Sequence, residues 1–370
     1  MLNFQPALLE DWLRLYYFET EIDIGGSGVE DFSLGELSGL LDFSLQNLER
    51  LVFHDSHTRG GPDLRQAIAD RWLDGDGDRV MATHGSTEAT FLTMAALLAA
   101  GDEVVVCDPC YQQLSDTAAG LGCSLRRWPL RFERGYRPDL DELESLVTDR
   151  TRMVVANFPH NPTGASLSGE EQRRLIGIVE RVGAYLVWDG AFAELTHGGP
   201  QLPEVSLLYE KGVSFGTMSK VYGLPGLRVG WCLAAPRLLE KMVRVRDYVT
   251  LHLSPLVEFI AEKAVRHADR LIALRLGQAR RNLELVADWA ASESGRVSWV
   301  RPAGGVTVFP RLSMPDTEPL CRRLAEERKV LLVPGSCFGH PEHVRLGFGG
   351  ASAQLERGLA QLSSLLPSGA

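Results

Sequence analysis

Val213-Ser-Phe-Gly-Thr-Met-Ser-Lys220-Val-Tyr-Gly-Leu-Pro-Gly-Leu-Arg228-Val-Gly-Trp231 is the stretch on which the reading of this chain turns. An apolar, strand-like run ends near Thr217, and Lys220 follows at once. A Gly/Pro-rich turn then leads to Arg228. The chain has 33 arginines but five lysines. Lys241 and Lys263 lie in charged helical stretches, and Lys211 and Lys329 flank strand-like runs beside acidic residues. These four suit a solvated surface. A lysine in a partly desolvated site near other cations loses proton affinity and becomes a nucleophilic amine, as a Schiff base requires. A plain loop lysine at a strand end would look the same in isolation, so the surrounding chain must decide.

At 370 residues the chain exceeds one ordinary core, and two domains are expected. Its 45% hydrophobic and 23% charged residues fit a globular protein. A net charge of −10 argues against a phosphate-backbone partner, so no nucleic acid is expected. No apolar run reaches membrane-spanning length. Met-Leu-Asn-Phe-Gln-Pro shows no basic-then-apolar signal pattern. Six cysteines make no disulfide framework, and a cytoplasmic enzyme is the expectation. Cys107-Asp-Pro-Cys110 has no second pair at zinc-ligand spacing and follows Glu-Val-Val-Val, so it reads as a strand end and turn, with no metal.

Strand-like runs fall at 79–83, 103–107, 153–157, 185–188, 213–216 and 229–234. Helical patterns fall at 87–100, 112–120, 140–146 and 170–182. This alternation predicts an α/β fold with a mainly parallel central sheet between helical layers, and ligands bind beyond the carboxyl ends of such strands. A long helical stretch over 257–292, broken near Asp269 and Gly277, precedes a smaller α+β pattern. That pattern runs through 297–300, 306–310, a helix at 318–328, then 330–333, 344–348 and a last helix at 355–365. The expected organisation is a large domain over 46–256 and a small one over 257–370. Residues 1–45 are expected to pack with the latter.

Four strand-end motifs converge. His84-Gly85-Ser86-Thr87-Glu88 sets Gly and hydroxyls at a helix start, where free N–H groups and the helix dipole suit an anion, or a simple N-cap. Asn157-Phe-Pro-His-Asn161-Pro-Thr-Gly164 fixes the Asn161 amide in a rigid turn. Leu186-Val-Trp-Asp189 ends an apolar strand in an acid, which needs a partner or solvent. Such a carboxylate can hold a ring nitrogen protonated, or cap a helix. Thr217, Lys220 and Arg228 together can grip a phosphate while the lysine attacks an aldehyde. On successive ends of one sheet, these groups describe a site for a phosphorylated aldehyde with a basic ring nitrogen, pyridoxal phosphate (PLP).

The order and spacing of these motifs resemble the fold-type-I PLP enzymes of the class I/II aminotransferase group, from about residue 20 to the C-terminus. The resemblance implies a three-layer PLP-dependent transferase fold and a homodimer with active sites between subunits. It implies that Lys220 binds the cofactor and shuttles the Cα proton, Asp189 pairs with the pyridinium nitrogen, and Asn161 bonds the phenolic oxygen. Gly85, Ser86, Thr87, Thr217 and Arg228 would hold the phosphate. Tyr111 would stack on the ring, and Arg345 would take the substrate carboxylate.

Two positions depart from the family pattern. Phe192 replaces a Tyr that donates a second hydrogen bond to the phenolic oxygen, and losing that donor should raise the Schiff-base pKa. Asp55 stands where a Tyr usually reaches the neighbouring subunit's phosphate. Further segments are Asp11-Trp-Leu-Arg, Ser27-Gly-Val, Trp188-Asp-Gly-Ala-Phe and Arg246-Asp-Tyr. They resemble a branch of the family that closes a hydroxylated arginine into a ring for antibiotic biosynthesis. That resemblance implies an arginine-derived substrate, with Gly28 and Asp55 on its side of the site. Glu30, Asp31 and Glu194 are further candidates for the guanidinium. His84, His160 and His252 are candidates for the acid that assists the leaving hydroxyl. An ordinary aminotransferase and a PLP-dependent arginine hydroxylase or oxidase are the competing activities, and a PLP-sensing transcription regulator is disfavoured by the acidic charge and by the lack of a basic DNA-binding segment.

Overall fold

The computed structural model describes residues 3–367, so the ends of the two outer segments, and the first two residues of the N-terminal hexapeptide, lie outside it. Its centre is a seven-stranded sheet. The strands are β1 (Val80–Thr83), β2 (Glu103–Asp108), β3 (Ser124–Pro129), β4 (Thr151–Asn157), β5 (Tyr185–Asp189), β6 (Gly212–Thr217) and β7 (Gly230–Ala234). They lie in the order β1-β7-β6-β5-β4-β2-β3, and β7 alone runs antiparallel to its neighbours. Residues alternate between two apolar layers: Val105 and Cys107 of β2 face one, Val104 and Val106 the other. Both faces are therefore covered, as a mostly parallel sheet requires. Helices Gly85–Leu97, Gln112–Gly120 and Gly169–Arg181 supply part of that cover. The last begins in a capping box, Ser168 with Glu171, which satisfies two end donors reciprocally.

Register decides what meets at the carboxyl edge. Thr83 of β1, Gly230 of β7 and Thr217 of β6 are paired across the sheet. Asn157 of β4 is paired with Asp189 of β5. Because β7 is antiparallel, its start lies at the same edge, which brings Arg228 there.

The C-terminal elements form a second cluster. Helices Ala268–Ser292, Glu318–Arg328 and Ser352–Leu365 accompany short strands, among them Thr307–Val308 and Val333–Pro334 on either side of Val344–Gly347. Ile22–Asp23 joins it by parallel pairing with Val330–Leu331. No helix among the described residues is long and apolar enough to cross a membrane.

Three element readings need correction. The sequence reading lacked β3, an edge strand whose Arg126 and Arg127 break the apolar pattern. The long helical stretch divides once, at His267, and then runs unbroken through Gly277. A single glycine costs a helix only about 1 kcal/mol, which the packing of Leu271, Ala279 and Leu283 outweighs. Residues 330–333 form two short pairings rather than one strand.

Candidate active site

A cavity of about 640 Å³ opens at this sheet edge. Ser86, Thr87, Tyr111, Asn161, Asp189, Thr217, Lys220, Arg228 and Arg345 all line it.

Thr83 closes β1, and the chain turns at Gly85 with φ of 71°, the left-handed region that glycine enters without penalty. A Cβ there would lie 2.8 Å from Arg228 Nη2, and one on Gly230 would lie 2.6 Å from Ser86 N. Both glycines thus keep a cradle open between the helix start and the guanidinium. Arg228 itself adopts φ of 53°, an unusual conformation for a residue with a side chain. Its Nη1 donates to Pro225 O at 3.1 Å and Ser219 Oγ at 3.3 Å. Thr217 Oγ1 accepts from Ser219 N at 3.1 Å.

Asp189 is buried at the end of β5, where its Oδ1 accepts from Ala191 N at 2.9 Å. Burial pushes its carboxyl up to about 6, while Ala191 N–H and Lys220 pull it down. It has no salt-bridge partner among the described residues, so a ligand cation beside it would relieve that cost. Asn157 holds the neighbouring turn: its Nδ2 donates to Asp189 O at 2.9 Å, and its Oδ1 accepts from Asn161 N at 2.8 Å. Among the described residues the Asn161 side-chain amide has no hydrogen-bond partner, although its Oδ1 is buried. Phe192 is buried on the cavity wall.

Lys220 Nζ donates to Ser27 Oγ at 2.9 Å. Burial, reinforced by Arg345 and Arg228, lowers its pKa to about 8 against the pull of Glu10 and Asp189. Asp23 builds the loop that presents Ser27: its Oδ1 accepts from Gly25 N at 2.8 Å and Gly26 N at 2.7 Å. Gly25 O in turn accepts from Arg345 Nε at 3.1 Å and Nη2 at 2.9 Å. One acidic side chain thereby organises both the nucleophile's partner and the buried guanidinium. Tyr111 hydroxyl donates to Glu10 Oε1 at 2.9 Å.

Several predicted residues do not line the cavity. Gly28 is one residue off, and its neighbour Ser27 takes the position. Asp55 is exposed and pairs with His252 Nε2 at 3.1 Å. Glu194 is buried against Arg71 and Tyr222, and Glu30 accepts from Gln278 at 2.7 Å beside Arg275. Asp31 lies at the surface. His84 faces Glu88 at the start of its helix, and His160 is fully buried against Thr163. Burial holds His160 down at about 3, so it stays neutral. The cavity also contains Glu10, Ser27, Asn157 and Ser219, which the sequence reading did not assign to the site. Ser219 adjoins the lysine and Asn157 opens a quoted motif, so position in the motif could have found both.

A family model for aminotransferase class I and II matches residues 47–362. The chain belongs to the aminotransferase class I and II family. Among its curated relatives, a capreomycidine synthase of Streptomyces vinaceus is 49% identical over 97% of this chain and 93% of its own. An arginine–pyruvate transaminase of Pseudomonas aeruginosa is 29% identical over 80% of this chain and 77% of its own. Among solved structures, the PLP-dependent cyclase OrfR matches with a TM-score of 0.93 at 42% identity, covering 98% of this chain and 97% of its own. The family's cofactor is PLP, and the donor set here fits it. The glycine-bounded cradle suits a phosphate, the unpaired buried acid suits a pyridinium, and the depressed lysine suits an aldehyde. The family places this chain among PLP-dependent enzymes.

Proposed function

We propose that this enzyme converts (2S,3S)-3-hydroxyarginine into L-capreomycidine, losing one water and closing a ring between a guanidine nitrogen and Cβ. The 49% identity to capreomycidine synthase across 97% of the chain carries this reading. A cavity lined by Lys220, Asp189, Asn161, Arg228 and Arg345, a donor set that fits PLP, supports it.

Bound PLP would supply an aldehyde for the substrate amine and a ring that accepts the electron pair released at Cα. Gly85, Ser86, Thr87, Thr217 and Arg228 would hold its phosphate, Asp189 and Asn161 its ring, and Tyr111 would stack on it. Arg345 is fixed through Gly25 O, and its Nη1 has no protein hydrogen bond among the described residues. It can therefore take the substrate carboxylate and orient the Cα–H bond toward Lys220. Lys220 Nζ, held by Ser27, removes that proton and later returns it. Its depressed pKa leaves a working fraction of free amine near neutral pH. Asp189 would keep the ring nitrogen protonated, and Phe192 would present an apolar wall beside the ring. The hydroxyl leaves Cβ with a proton as water, and the guanidine nitrogen adds to the same carbon as it sheds its own proton. Residues 46–256 would act as the cofactor-binding unit, with 257–370 as the smaller unit on which residues 1–45 pack.

We read the enzyme as a cytoplasmic homodimer without a nucleic-acid or membrane partner. Val52, Phe53, Tyr248 and Leu251 are exposed large apolar residues on the two segments that the Asp55–His252 contact joins. Such clustering favours an interface. It would carry Asp55 toward a neighbouring subunit's cavity.

The test is purified enzyme with PLP and (2S,3S)-3-hydroxyarginine, without a 2-oxo acid, followed by mass spectrometry and NMR. A cyclic product lighter by one water, accumulating over many turnovers, is expected. Unchanged substrate, with amino transfer only on adding a 2-oxo acid, would replace the cyclase by an aminotransferase.

A further inference from the structure

Three carboxylates line the cavity: Asp189, Asp116 and Glu10. Asp189 belongs to the sheet edge, where the cofactor ring is expected. Asp116 has both oxygens engaged, Oδ2 accepting from Gln112 Nε2 at 2.6 Å and Oδ1 from Ser115 Oγ at 2.8 Å. Glu10 differs. Its Oε1 accepts one bond, from the Tyr111 hydroxyl, and Oε2 has no hydrogen bond among the described residues. It has no salt-bridge partner either, although its charge acts on Lys220, Tyr111 and Arg345. A half-buried carboxylate on the cavity wall, with one oxygen unengaged among the described residues, is ready for a further donor.

Its placement is built from both sides of the cavity. Glu10 lies in the first turn of the helix Leu8–Tyr16. Leu8 N donates to Gln112 Oε1 at 2.8 Å, and Gln112 Nε2 donates back to Pro6 O at 2.8 Å. Two residues on, Trp12 Nε1 donates to Leu332 O at 3.0 Å. The helix therefore bridges the large sheet's cover and the second cluster, and Leu9 and Leu13 line the same cavity.

We propose that Glu10 receives the side-chain guanidinium of the substrate and sets the enzyme's selectivity for arginine derivatives. The inference rests on the cyclase reading above. A planar guanidinium presents paired N–H donors that match a carboxylate, and the Tyr111 bond fixes the acceptor's orientation. An uncharged ureido group of the same shape would lose that charge-assisted pairing. With Arg345 on the carboxylate and Glu10 on the guanidinium, both ends of the substrate are held while Cα faces Lys220.

The test titrates holoenzyme with L-arginine and L-citrulline, followed through the visible absorbance of bound PLP. Neither ligand carries the β-hydroxyl needed for ring closure. Wild type should prefer arginine by at least about 10-fold, as one charge-assisted pair allows. Glu10→Gln should lose most of that preference by weakening arginine while leaving citrulline nearly unchanged, and Glu10→Asp should recover part of it. Equal weakening of both ligands would make Glu10 a structural support for Tyr111 and overturn the proposal. An unchanged preference in Glu10→Gln, or none in wild type, would overturn it too. Wild type that discriminates through Glu10 but does not cyclise hydroxyarginine would sink the cyclase reading and leave Glu10 as the guanidinium site.

Discussion

Asp189 is the buried side chain through which folding and the proposed cofactor binding would be linked. Its folded pKa of about 6 lies above the ordinary value of 3.8. The native state therefore holds this proton more tightly than the unfolded state does. That contribution is complete below pH 3.8 and is lost as pH rises through 6, so near neutrality the ionised acid strains the cofactor-free protein. Asp189→Asn keeps an acceptor for Ala191 N–H and removes the charge. The cofactor-free variant should melt roughly 2–5 °C above wild type at pH 7, with the difference vanishing near pH 4. Calorimetry of both apoproteins across that range checks it. The same variant should turn over far more slowly, since it cannot keep the pyridinium charged.

Phe192 makes the second residue-scale prediction. It lines the cavity where the family pattern has a donor to the phenolic oxygen. Phe192→Tyr should lower the pH midpoint of the bound cofactor's visible absorbance by about one unit, the worth of one hydrogen bond. A midpoint that does not move would show that the hydroxyl fails to reach the oxygen. Lys220, Asp189 and Asn161 were legible because each is a polar group placed beyond an apolar strand. Glu10 was not, because an acid in the first turn of a helix serves the helix dipole equally well.

At the scale of elements, the proposed phosphate cradle is kept open by two glycines, Gly85 and Gly230. Gly85→Ala would force a side chain into the left-handed region and push its Cβ against Arg228 Nη2. PLP affinity should fall at least about 10-fold, by displaced guanidinium and strained backbone together. Fluorescence titration of the apoprotein measures it, and tight binding by the variant would remove Arg228 from the phosphate. The alternating apolar runs predicted six of the seven central strands. Ser124–Pro129 escaped because an edge strand exposes one face and tolerates arginines there.

For the whole molecule, the homodimer reading makes a direct prediction. Phe53→Glu sets a charge within the exposed apolar cluster and should shift a dimer toward monomer, with activity falling on dilution. Sedimentation equilibrium of wild type and variant decides it, and a monomeric, fully active wild type would end the proposal. The likeness to OrfR over 98% of the chain leaves the fold itself outside that question.

The sequence alone determined the sheet, its ligand-binding edge and the cofactor class. Those features are local: apolar runs make strands, and a polar residue just beyond a strand must find a partner there. The tertiary structure decided what depends on long-range pairing. Ile22–Asp23 meets Val330–Leu331 across most of the chain, and the Asp23 loop that follows sets Ser27 on Lys220 and Gly25 O on Arg345. The N-terminal helix brings Glu10 to Tyr111 in the same way. Spacing along a chain cannot report such contacts, because burial between distant segments, and no local rule, fixes which of many similar acids and serines faces the cavity.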